Sequence, residues 1–138
     1  MTRWLAMAAL AAFPIAAQDV PQNGMAITRW HGATHQAYFA DPLEWARFQD
    51  LLTSEEFREI RIATAGETRV RVAGRYLVLT GCLPTACSST RAGLGIEIET
   101  GTTSAVVWQE NLDPRRFYHP GKPLPPELDA LARNGVLE

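Results

Sequence analysis

Leu77-Val78-Leu79-Thr80-Gly81-Cys82-Leu83-Pro84-Thr85-Ala86-Cys87 is an apolar strand that runs into the chain's only two cysteines. The two thiols bracket four residues, and oxidised to each other they close a tight ring at the strand's end. Pro84 removes further backbone freedom inside that ring, because its φ is already fixed. In the loop-entropy model so short a ring stabilises a fold by only roughly 2 kcal/mol. Its larger consequence is geometric: a rigid knob at the edge of a sheet, able to enter a partner's cleft without an ordering cost.

Outward from this stretch the hydrophobic period is two. Arg69-Val70-Arg71-Val72 alternates with the valines inward and the arginines outward, and Ala73-Gly74 turns the chain into Arg75 to Thr80. Beyond the cysteines, Ala92 to Glu99 alternates again and Thr100-Gly101-Thr102 leads into Ser104 to Gln109. Upstream, Arg58 to Ala63 also fits period two, with Ile60 and Ile62 on one side and Gly66 as the turn that follows. The expectation is α+β: an antiparallel β-meander of about five strands, flanked by short helices, with a disulfide-closed protruding loop.

The helices are signalled by their ends. Asp41-Pro42-Leu43-Glu44 supplies an acidic N-cap, a proline at the first helical position and a glutamate able to return to the cap. That helix is expected to run to about Leu52, burying some of Leu43, Trp45, Ala46, Phe48, Leu51 and Leu52, with the five charges from Glu44 to Glu56 as its wet face. Thr53 to Phe57 reads as a break with a second short helical turn. The prolines at 114, 120, 123, 125 and 126 exclude regular structure across Asn111 to Pro126. Arg115, Arg116, Phe117, Tyr118 and His119 then read as a connection packing its aromatics under the sheet, ahead of a contact surface. Glu127 to Asn134 forms the last helix, with Leu128, Leu131 and Ala132 as its stripe and Gly135 as its stop.

The first residues carry the compartment signal. Arg3 precedes the apolar run Trp4 to Phe13, and Pro14-Ile15-Ala16-Ala17 ends on a small residue before polar Gln18-Asp19. This is the plan of a secretory signal peptide over residues 1–17, cleaved after Ala17, with one domain over 18–138. The expectation is a periplasmic or secreted protein with no membrane association after cleavage. The formal charge of -2 becomes about -3 once Arg3 leaves with the leader, which gives nucleic-acid binding no support and is compatible with a basic protein partner. Export also bears on Cys82 and Cys87: in an oxidising compartment a structural disulfide is favoured over a redox or metal pair.

No set of residues converges on catalysis. Glu97 and Glu99 share one strand face, but Ile96 and Ile98 take the inward face and solvent accounts for the glutamates. Arg69, Arg71 and Arg75 read as solvated residues, Ser88-Ser89-Thr90 lacks a placed base, and His31 and His35 lack a third metal ligand. We expect no catalytic residue, no cofactor and no metal.

The hairpin from Val70-Arg71-Val72-Ala73-Gly74-Arg75-Tyr76-Leu77 through Cys82, with Pro84, Cys87 and the strands ending in Val106-Val107-Trp108, resembles the Ivy family, periplasmic inhibitors of vertebrate c-type lysozyme. The resemblance covers some forty residues in order. In that family a loop of the form Cys-Lys-Pro-His-Asp-Cys projects from the sheet and plugs the lysozyme cleft, its histidine on the catalytic carboxylates. Cys82, Pro84 and Cys87 match at that spacing. Thr85 stands at the histidine position, Ala86 at the aspartate and Leu83 at the usual polar residue, so the charge-assisted part of the contact is lost.

The resemblance therefore implies an inhibitor of a peptidoglycan-cleaving muramidase, c-type lysozyme or lytic transglycosylase. Its partner-binding loop would be Leu83, Pro84, Thr85 and Ala86. An Ivy-like binding module with a different partner is the alternative, and oligomeric state is left open.

Overall fold

The computed structural model describes residues 23–137. The expected leader and its cleavage after Ala17 lie outside them. The described chain begins with four helices, α1 (Met25–Thr28), α2 (His35–Ala40), α3 (Pro42–Phe48) and α4 (Ser54–Ala63). Five strands follow, β1 (Gly66–Ala73), β2 (Tyr76–Cys82), β3 (Thr90–Glu97), β4 (Thr103–Gln109) and β5 (Arg115–Tyr118), and after them α5 (Pro126–Asn134). The sheet is an antiparallel meander in the order β1-β2-β3-β4-β5.

Both faces of this sheet are covered. Leu77, Leu79, Leu94 and Ile96 face a core shared with Ile27, Tyr38, Phe48 and Ile60 of the helical layer. Val78 and Val106 face the other way, onto Leu128, Leu131 and Ala132 of α5. Burying each leucine of α5 contributes roughly 1.5–3 kcal/mol. Glycines make room for that helix: a Cβ on Gly93 would lie 2.6 Å from Leu128 Cδ2, and one on Gly95 2.7 Å from Pro125 Cγ.

Several expectations are corrected. Arg58 to Ala63 is the body of α4, not a strand, so Ile60 is fully buried while Ile62 is 44% exposed. The alternation of Ile60 and Ile62 is equally compatible with a helix when Phe57 is counted, at spacing i, i+3 from Ile60. The deciding signal is the capping box: the Thr53 hydroxyl accepts from Glu56 N–H (3.1 Å) and the Glu56 carboxylate accepts from Thr53 N–H (2.8 Å). Gly66 accordingly opens β1 rather than making a turn.

The preceding helix stops at Phe48, short of Leu52; of the apolar residues expected to be buried in part, Phe48 and Leu52 are buried and Leu43 is 41% exposed. Its charges are not all a wet face either. Glu44 and Arg47 are buried and paired at 2.9 Å, and Arg47 Nη2 also donates to Ala26 O of α1 at 3.5 Å, on the face of α3 turned inward. Asp41 does cap α3, accepting from Leu43 N–H at 2.8 Å.

Arg115 to Tyr118 is a strand despite the neighbouring prolines. Pro114 and Pro120 flank the four residues, so each of them keeps its N–H, and the edge position demands pairing on only one side. The alternation splits the aromatic cluster: Phe117 packs on the core and Tyr118 is 52% exposed. Glu97 is not solvated. It is paired with Arg75, and its carboxylate also accepts from the Thr100 hydroxyl.

The two histidines of the N-terminal segment do not meet at a ligand. His31 Nδ1 accepts from Val72 N–H (2.9 Å), while Gly32 N–H donates to Val70 O (2.8 Å), so together they close the free edge of β1. His35 Nε2 donates to Arg61 O at 2.6 Å.

Candidate functional site: the disulfide loop and its supports

Cys82 ends β2 and is paired with Arg91 at the start of β3, so the loop is the β2–β3 connection. Cys82 and Cys87 are bonded, with Cα atoms 4.7 Å apart. Backbone bonds then satisfy the ring from inside. Leu83 N–H donates to Thr90 O (2.9 Å), Ala86 N–H to Leu83 O (3.0 Å), and both Ser89 and Thr90 N–H to Ala86 O (3.1 and 3.0 Å). Few amides remain to be ordered on contact with a partner, which is the physical content of a preorganised loop. The four expected contact residues sit together at the tip: Pro84 and Thr85 are exposed, Leu83 and Ala86 half-buried.

The base is built from residues that the sequence reading gave no part in the loop. Gly66 lies opposite Cys82, and a Cβ there would stand 3.0 Å from Pro84 Cα, so a side chain at this position would press on the loop's backbone. The register shifts between Gly66 and Arg69, and Glu67 in this bulge has φ 53°, a left-handed conformation uncommon for a non-glycine residue.

Arg91 carries the return limb. Its Nε donates to Cys87 O (2.8 Å), its Nη1 donates to Gly135 O just beyond α5, and its guanidinium lies 5.5 Å from the Trp108 ring centroid. The signal for it was present in the sequence as a lone arginine entering an apolar strand. Its partners were not, since Gly135 lies 44 residues away.

Glu67 and the two sulfurs cluster within 4.8 Å of one another, but sulfurs bonded to each other offer no thiolate to a metal. The tip itself holds no ionisable side chain. Its chemistry is a rigid apolar surface plus one hydroxyl, that of Thr85. Beside it runs an open groove of about 510 Å³ between the loop and α4, with Leu83 on one side and Ile62 and Arg58 on the other. Glu59 in that groove is paired with Arg115, and hydrogen bonding to Glu59 raises the already high pKa of the Arg115 guanidinium.

The sequence model of the family described as inhibitor of vertebrate lysozyme (Ivy) matches residues 44–136. The chain belongs to the Ivy family. The match takes in α4, all five strands, the disulfide loop and α5. No curated protein and no solved structure matches the chain. Ivy is a family of lysozyme inhibitors, so its general function is inhibition and its general partner a protein. Among the described residues no helix is long and apolar enough to cross a membrane.

Proposed function

We propose that this Ivy protein is an exported inhibitor of a peptidoglycan-cleaving muramidase, c-type lysozyme or lytic transglycosylase, and that the Cys82–Cys87 loop enters the enzyme's cleft. The observation that carries the reading is the exposed Pro84–Thr85 tip on a ring whose backbone is already hydrogen-bonded to itself. A few preorganised residues at the centre of an interface can dominate its binding energy. The Thr85 hydroxyl would donate one hydrogen bond to a catalytic carboxylate without the positive charge of the family's histidine, so affinity rests largely on shape and exclusion of water. The leader over residues 1–17 would deliver the chain to the compartment where such enzymes work.

The test is peptidoglycan turnover by purified c-type lysozyme and by a lytic transglycosylase, each titrated with the oxidised mature protein. Stoichiometric inhibition that Thr85→Arg abolishes, and that reduction or Pro84→Gly weakens in a folded protein, is the expected result. Full inhibition untouched by all three changes would remove the loop from the mechanism. One specific observation favours a second reading, a binding module with another partner: the tip carries no ionisable group at all. Absence of inhibition of either enzyme at large excess is its expected result.

A further inference from the structure

Between the α2–α3 corner and α4 runs an open groove of about 390 Å³. Phe39 of α2, Trp45 of α3 and Phe57 of α4 give it an aromatic wall. α4 enters the groove along one stripe: Ser54, Phe57, Arg58 and Arg61 fall at i, i+3, i+4 and i+7, a single face of a helix.

Two features of this groove select an occupant. The first is ring surface that the core does not take up. Phe57 is buried, and the other two rings lean on it, Phe39 at 5.3 Å and Trp45 at 4.8 Å between centroids. Phe39 and Trp45 are themselves only half-buried, so both offer apolar area to whatever lies in the groove.

The second is uncompensated positive charge. Arg58 and Arg61 are exposed, and neither guanidinium has an ion-pair partner among the described residues. The nearby carboxylates are engaged elsewhere. Asp41, the acid on the groove's lining, accepts from Leu43 N–H with one oxygen and is paired with Arg29 through the other. Glu56 accepts from Thr53 N–H, and Glu59 is paired with Arg115. Glu55 lines the groove beside the disulfide loop, which shares Arg58 with this one but not Arg61.

A single exposed arginine needs no explanation. Two on one helical stripe, beside available ring faces and with the local acid spent, are complementary to carboxylates that flank an apolar group. Aromatic residues and arginine are also the types enriched where proteins meet. Small-molecule sites run from about 300 to 1,000 Å³ and enclose most of their ligand. This groove is at the small end of that range and open, which suits one anchoring side chain of a longer chain.

We infer that the groove is a docking site for an acidic polypeptide segment of another protein, with an aromatic side chain against Phe39 and Trp45 and its neighbouring carboxylates on Arg58 and Arg61. The inference uses nothing of the Cys82–Cys87 loop, and stands whether or not the loop inhibits a muramidase.

The test is an amide- and indole-resolved NMR titration of the oxidised protein with the peptide acetyl-Asp-Phe-Asp-amide. Acetyl-Lys-Phe-Lys-amide, acetyl-Asp-Ala-Asp-amide and phenylacetate form separate arms. The acidic aromatic peptide is expected to shift the Trp45 indole and the Arg58 and Arg61 amides with a millimolar dissociation constant, while the basic and the ringless peptides leave them in place. Arg61→Gln, at an exposed position, is expected to weaken binding about threefold, the size of one exposed ion pair, and Arg58→Gln with Arg61→Gln about tenfold. No shift at tens of millimolar peptide, equal shifts with the basic or the ringless peptide, or full affinity in the double variant would each overturn the inference. Phenylacetate binding as tightly as the peptide would make the occupant a small molecule, and movement of the same signals on dilution of the protein alone would make it a second copy; either result overturns it too. None of these outcomes involves a lysozyme, so a failure here is distinct from a failure of the loop.

Discussion

Arg91 joins the disulfide loop to the end of α5: one guanidinium donates to the carbonyl of Cys87 and to that of Gly135, across Trp108. The loop's direction is therefore set by the C-terminal helix as well as by the strands that carry it. Lysine offers a single ammonium in place of a planar fork and cannot hold both carbonyls in the same geometry.

Arg91→Lys and Arg91→Met should both keep the fold and loosen the return limb. Faster amide exchange at Ser89 and Thr90, with exchange in β4 unchanged, is the expected reading. Inhibitory potency, where present, should fall by about tenfold, the equivalent of one lost charged hydrogen bond. Unaltered exchange at both amides would show that the strands alone fix the loop.

Glu44 and Arg47 form a buried pair, and its members are unequal to their surroundings: Glu44 Oε2, Arg47 Nη1 and the Tyr38 hydroxyl lack partners. Burial, reinforced by the Glu44 charge, holds the Tyr38 hydroxyl well above its ordinary pKa. Glu44→Ala leaves an uncompensated guanidinium and should cost about 3–5 kcal/mol in urea denaturation. Glu44→Leu combined with Arg47→Met should fall within about 1 kcal/mol of the parent or exceed it.

Glu97 supplies an acid-sensitive contribution. The Thr100 hydroxyl, and after it Arg75, hold its carboxyl below the usual carboxylate range. A lowered folded pKa means that the unfolded chain binds the proton more readily. The stabilisation is therefore complete above the unfolded value, about 4.3, and is lost as pH falls through the folded one. The urea midpoint of the parent should exceed that of Glu97→Gln at pH 7, and the gap should close as the pH is lowered toward 3. A gap constant with pH would show that the carboxylate's charge contributes nothing.

Gly81 precedes the loop at a close approach to α4. A Cβ there would meet Thr64 O at 2.5 Å, and that oxygen is backbone, unable to swing aside as a side chain can. Gly81→Ala should destabilise by about 1–3 kcal/mol, the usual cost of overpacking. Gly74→Ala has open space around it and strains only its positive φ of 60°, so it should cost less than Gly81→Ala in the same denaturation assay.

Much of the sheet was legible because it is local. Val70 to Thr80 is a hairpin with a short turn, and the strands to either side of it alternate over enough residues to declare their period. The α5 stripe and its glycine stop were read for the same reason. Arg58 to Ala63 failed because two isoleucines in six residues fit both periods, and only the capping box upstream distinguishes them. β5 failed because a four-residue edge strand has too few positions to show a pattern against five nearby prolines. The burial of Glu44, Arg47 and Glu97 failed because a charged residue reads as exposed until its partner is known.

The sequence alone determined the knob: two cysteines four residues apart with a proline between them at the end of an apolar strand. Covalent chemistry and a fixed φ act within a few residues, so no knowledge of the rest of the chain is needed. Only the tertiary structure decided how that knob is held and what lies opposite it. Gly66 and Arg91 support the loop through contacts between residues far apart in the chain. Such contacts arise only when helices close over both faces of the sheet, and no local period encodes them.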